Sequence, residues 1–217
     1  MTRVESWLLA AVMVAILVGY ELALVWLQRR HPERLARTAH AALRQAWFKA
    51  ISAQAGSEIL AVQTLRNSMM SATMTASTAA LALMATVTLS APSLHESFGP
   101  GAGVAPQWHV RLALELLLMA LLFASLVAST MAVRYYNHAG YISAMPVGSA
   151  ARAQWAEAGL AYVRRAGLLY SAGLRYLMLV APVLACILHP MAGPLAALAV
   201  VLGLWGFDRF SETKPTP

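Results

Sequence analysis

Ala61-Val62-Gln63-Thr64-Leu65-Arg66-Asn67-Ser68-Met69-Met70-Ser71-Ala72-Thr73-Met74-Thr75-Ala76-Ser77-Thr78 is the stretch that decides the fold. It begins polar and charged and passes without a break into an apolar run ending near Leu89. A helix over about 67–89 is long enough to cross ~30 Å of hydrocarbon at ~1.5 Å per residue. A helix facing only lipid has no use for so many hydroxyls, an amide pair and an arginine. The rest of the chain therefore reads as a membrane scaffold that shields this stretch.

Composition agrees. Of 217 residues, 59% are hydrophobic and 12% charged, about half the charge of a soluble domain. The expectation is one integral membrane domain over residues 1–217, an all-α polytopic bundle. It would have about five transmembrane helices and two basic amphipathic helical segments on the cytoplasmic side. The net charge of +7 would suit nucleic acid in a soluble protein. In a membrane chain arginine first sets orientation, and no basic patch interleaved with aromatics is present. The single cysteine, Cys186, lies in an apolar run and can form neither an internal disulfide nor a thiolate metal site.

Working outward, the apolar run 7–27 with Trp7 and Trp26 at its ends is a first span with aromatic belts. It is too long for a signal peptide and is followed by Arg29-Arg30 rather than a cleavage site. Pro32 should break the chain after it. From Glu33 to Ile51, apolar residues at three- and four-residue steps give an amphipathic helix with arginines on its other face. Lying on the membrane surface and serving as a plain solvated connector are both open to it. Ser90-Ala91-Pro92 should end the second span. A loop with Pro100, Pro106, Gly101 and Gly103 follows, then a third span over 110–133. Ser149 can cap a second basic segment, Ala150 to Arg165. Residues 166–207 are too long for one straight span and are expected to divide near His189-Pro190 into helices at 167–188 and 194–207, with a long tilted or re-entrant single segment as the alternative. With this count every Arg-rich connection lands on one side, placing the N-terminus outside and the C-terminus in the cytoplasm of a bacterial inner membrane. Arg209 and Lys214 mark the exit.

No phosphate loop, dinucleotide fingerprint or zinc-binding His pair is present, so neither a cofactor nor a metal is expected. The six histidines are scattered, and methionine in an apolar helix is ordinary core filling. The informative residues are polar groups at membrane depth. Thr64, Ser68, Ser71, Thr75 and Thr78 follow alternating steps of four and three, so they share one seam of the second span. Such a seam serves close helix packing or a wetted lining. Glu21 lies inside the first span, where an unpaired charge costs ~2.5–3.5 kcal/mol, so it should pair with Arg175 or Arg66. A polar layer of Glu21, Gln63, Arg66, Asn67, Arg134, Asn137 and Arg175 is expected. Snorkelling to the interface is the alternative for Arg66 and Arg134.

The stretches Ala61 to Met70 and Arg134-Tyr135-Tyr136-Asn137-His138-Ala139-Gly140 resemble the two signature segments of a membrane family of bacteria and plants, domain of unknown function 599. Gly19-Tyr20, Trp47 and Tyr170 through Arg175 are similar to weaker positions of that pattern, and Glu21 stands where the family carries His. The resemblance implies a multi-pass helical membrane protein and no activity.

Three functions are compatible with these residues. The first is an oligomeric channel or transporter for a small ion or solute, an anion slightly favoured. The second helix would line its path, and Arg66 and Arg134 would bias its mouth. The second is a non-catalytic accessory protein whose basic segments bind anionic lipid headgroups or a membrane protein partner. The third is a lipid- or quinone-handling enzyme using Tyr135, Tyr136, His138 and the arginines. No nucleophile–base pair supports the third. The first is expected, with membrane lipid and further copies of the chain as partners and no nucleic acid.

Overall fold

A computed structural model describes residues 2–31, 35–99 and 108–208. Among them are six helices and no β-strand: α1 (Arg3–Arg30), α2 (Ala36–Ala53), α3 (Glu58–Phe98), α4 (Val110–Ala144), α5 (Ala150–Leu188) and α6 (Ala192–Asp208). Four of them, α1, α3, α4 and α5, are long and apolar enough to cross a membrane, and α6 is apolar but shorter. Pro32, the loop residues Pro100, Gly101, Gly103 and Pro106, and the exit cations Arg209 and Lys214 lie outside the described residues.

Three helices run further than expected. α3, α4 and α5 have 41, 35 and 39 residues, or about 50–60 Å each, well beyond ~30 Å of hydrocarbon. Pro92 does not end the second span; α3 continues through it to Phe98. A proline removes one backbone donor, a loss that a membrane helix tolerates when its neighbours satisfy the freed groups. The third span does not end at Arg134 either. Gly140 costs too little to end the helix; Pro146 disfavours helical geometry in the residue before it, and α4 stops at Ala144. The segment from Ala150 to Arg165 is not a separate helix but the first part of α5. Gly159 and Gly167 interrupt good helix formers there, and each glycine costs only about 1 kcal/mol. The division near His189 is found, with α5 ending at Leu188 and α6 starting at Ala192.

The chain forms two compact units. The first contains α1, α3 from Thr78, α4 up to Ser125, α5 from Arg175, and α6 up to Phe207. Its organising seam is on α1, where Ala10, Met13, Leu17, Tyr20 and Leu24 are buried at alternating steps of three and four. Tyr20 meets Trp205 of α6 with ring centroids 6.5 Å apart. At the α5–α6 turn a Cβ on Gly193 would overlap the Cys186 side chain, so the lack of one lets the hairpin close. At the start of α1, Arg3 donates from Nη2 to the Trp108 carbonyl at 2.7 Å.

The second unit contains α2, α3 up to Ser77, α4 from Leu126, and α5 up to Leu174. Phe48, Leu65, Ala72, Tyr136, Ile142 and Val163 are central to its core. The turns around it are chemically tied. The Val147 N–H donates to Glu58 Oε1 at 3.0 Å. Ser149 caps α5, accepting from the Arg152 N–H at 3.3 Å. Gly148, with φ +82°, takes a left-handed conformation that costs other residues about 1–2 kcal/mol.

Candidate functional site

Apart from Thr75, the hydroxyl seam is not the face that the opening stretch shows the core. Ala61, Leu65, Ala72 and Thr75 are the buried positions of α3 in the second unit, while Thr64, Ser71 and Thr78 are exposed and Ser68 is half-buried. Small side chains at the buried positions let α3 pack closely. Four of the seam hydroxyls turn back on their own helix: Thr64 to the Leu60 carbonyl at 2.9 Å, Ser68 to Thr64 at 3.2 Å, Ser71 to Asn67 at 3.2 Å and Thr75 to Ser71 at 3.1 Å. Such bonds satisfy the donor and leave acceptor positions open.

The expected polar residues fall into separate groups. Arg175 donates from Nη1 to Glu21 Oε1 at 3.0 Å in the first unit, and its guanidinium lies over the Tyr20 ring at 5.8 Å. The carboxylate inside the apolar helix α1 therefore pairs with Arg175, one of the two partners named from the sequence. In the second unit Arg66, Tyr136 and Asn137 share a pocket of about 210 Å³ between α3 and α4. Gln63, Asn67 and Arg134 are exposed. The exposed His138 stacks on Tyr162 at 5.6 Å.

A second pocket of about 300 Å³ carries the strongest chemistry. It is built where α2 crosses α3, α4 and α5. Thr64 and Ser68 come from α3, Tyr136 from α4 and Val163 from α5; Leu43, Arg44 and Trp47 come from α2. Arg44 is held by an absence: its guanidinium lies against Gly167 of α5, in the space a Cβ would fill. Its Nε is buried without a hydrogen-bond partner, and no carboxylate lines the pocket. Burial pushes the Arg44 pKa down, with the Tyr136 phenol opposing. The group stays a cation at any ordinary pH, because a guanidinium starts far above that range. The Tyr136 hydroxyl faces Ser68. The site thus offers one under-solvated cation, a phenol, two hydroxyls and an apolar wall.

Sequence reasoning placed Thr64, Ser68 and Tyr136 among the candidates and missed Arg44, which read as one more cation on a solvated face. The available signal was Gly167. A glycine within a helical pattern costs helix stability, which points to a packing reason for it. Two further charged groups were missed. Arg152 is buried and donates to the Ser143 and Met145 carbonyls at 3.2 and 2.6 Å and to Ser52 Oγ at 3.3 Å. That is a cap for the end of α4. Glu115 in the first unit is buried, with Oε1 accepting from Arg111 Nε at 2.9 Å and Oε2 unpartnered. Among the described residues no cluster of metal-ligating side chains occurs.

Comparison with known proteins adds one match. A family model described as a protein of unknown function, DUF599, matches residues 8–213. Neither a curated protein nor a solved structure matches.

Proposed function

The chain belongs to the DUF599 family of proteins of unknown function, and we propose that it is a non-catalytic membrane protein that binds a small organic anion in the Arg44 pocket. One observation carries this reading: a buried guanidinium Nε with no partner and no carboxylate in the pocket lining. Taking a cation out of water without pairing it costs several kcal/mol. A bound carboxylate or phosphate would offset that cost through charge-assisted, forked hydrogen bonds. Leu43, Trp47, Leu65 and Val163 make the rest of the wall apolar, so the ligand has an apolar body and one anionic end. Tyr136 and Ser68 would take its remaining polar atoms. In this reading the protein sits in a bacterial inner membrane with α6 as a fifth span, and the basic segments put the pocket on the cytoplasmic side.

Thermal unfolding of the purified full chain with hexanoate or benzoate, against the matching neutral amides, tests it. The carboxylates raise the midpoint and the amides do not, and Arg44→Gln removes the rise. Equal shifts with acid and amide would sink the reading.

A second reading is an oligomeric channel or transporter with α3 as its wall. It is favoured by the exposure of Gln63, Thr64, Asn67, Ser71 and Thr78 on a single chain. A closed ring of copies would turn these groups toward a shared axis. Chloride or potassium flux into proteoliposomes above that of empty vesicles supports it, and the absence of both removes it.

A further inference from the structure

α2 has a second functional face. Ala42, Ala46 and Lys49, spaced four and three apart, line a groove of about 640 Å³ whose other wall is α5. On α5 the lining follows the same rule, with Glu157, Leu160, Arg164 and Leu168 on one stripe and Arg165 beside it. The alanines keep the floor low, which leaves the groove wide. The two helices run antiparallel here: Phe48 packs on Gly159 and Arg44 on Gly167. Lys49 therefore stands toward the Glu157 end. Arg164 and Arg165 stand further along, where α5 passes into a stretch from Leu168 to Leu188 whose one charged residue is Arg175.

The charge is unbalanced, with three cations facing the single carboxylate of Glu157. Lys49, Arg164 and Arg165 are exposed, and none forms an ion pair with an acid among the described residues. Arg165 is restrained on one side, its guanidinium lying 6.0 Å from the centre of the Tyr135 ring. Basic pockets beside membrane helices suit phosphate headgroups, and each nearby Lys or Arg adds to the attraction.

We propose that this groove binds the phosphodiester headgroup of an anionic phospholipid. Two features select a lipid over a soluble phosphate. The paired arginines adjoin the apolar part of α5, along which acyl chains can lie, and Leu160, Leu168 and the alanines give the glycerol region an apolar seat. Forked guanidinium contacts to the phosphate oxygens would come from Arg164 and Arg165, with Lys49 as a point charge. The site is separate from the Arg44 pocket, which uses another face of α2.

Native mass spectrometry of the full chain in detergent, titrated with phosphatidylglycerol, phosphatidylcholine or inorganic phosphate, tests the proposal. Phosphatidylglycerol binds preferentially. The triple variant Lys49→Gln, Arg164→Gln, Arg165→Gln weakens that binding by about tenfold or more. Glu157→Gln tightens it by about threefold, since it removes the opposing charge; this arm decides if the triple variant does not fold. Hexanoate, the probe of the Arg44 pocket, does not displace the lipid, so this proposal and the anion pocket can fail separately. Equal binding of both lipids, wild-type affinity in the triple variant, no change in Glu157→Gln, or displacement of the lipid by millimolar inorganic phosphate would each overturn it.

Discussion

Arg175 and Glu21, 154 positions apart in sequence, join α5 to α1 through one hydrogen-bonded ion pair of 3.0 Å. The pair explains how a carboxylate is tolerated inside an apolar helix. Glu21→Gln or Arg175→Met alone leaves one group without its partner and should cost about 2 kcal/mol. The double variant should cost less than the sum of the two singles. Unfolding of the purified protein in mixed micelles measures this, and strict additivity would show that the pair is not coupled.

Gly167→Ala places a methyl group where the Arg44 guanidinium lies. It should destabilise the second unit by about 1–3 kcal/mol and weaken anion binding by displacing Arg44. Adding Arg44→Ala should restore most of the stability and none of the binding, because the clash goes with the side chain. A Gly167→Ala protein of wild-type stability that binds normally would contradict this packing.

Arg44→Met separates stability from binding. The guanidinium is under-solvated and its Nε unpaired, so an apolar side chain of similar length should leave unliganded stability within about 1 kcal/mol or raise it. Ligand at a hundred times its Kd should stabilise the wild type by about 2.7 kcal/mol and leave the variant unmoved. Thermal melts with and without ligand read both quantities.

Arg152→Ala removes three hydrogen bonds, two of them to carbonyls at the end of α4. The expected loss is about 2–4 kcal/mol, since buried acceptors lose charged donors. Hydrogen exchange should show the last turn of α4 and the turn at Gly148 opening first. Uniform protection there would contradict the capping role.

Much of the fold was legible because hydropathy marks apolar runs and charge marks their ends. Glu21 and Arg175 announced their partnership through the cost of isolated charge in hydrocarbon. The continuation of α3, α4 and α5 was harder to read. Polar composition after Arg134 or before Gly167 looks like an ending, yet helix ends are set by breakers and caps, and the single glycines there, Gly140 and Gly159, are too weak to stop a helix. The pocket was half legible. Thr64, Ser68 and Tyr136 stood out as polar residues in apolar surroundings, while Arg44 sat among other cations on an amphipathic helix. What distinguishes Arg44 is a contact across 123 positions to a residue with no side chain, and periodicity along one helix carries no trace of that. The hydroxyl seam was visible as a pattern, but its bonds to its own backbone follow from rotamers that sequence does not specify.

The α5–α6 hairpin closes because Gly193 leaves room for Cys186, and the thiol of the chain's one cysteine is consequently buried. A chain whose one thiol sulfur is inaccessible contains its own clock. An alkylating reagent can reach that sulfur only when the hairpin opens, so the modification rate reports how often it does. With no label added, the wild-type protein can time the breathing of its own last two helices.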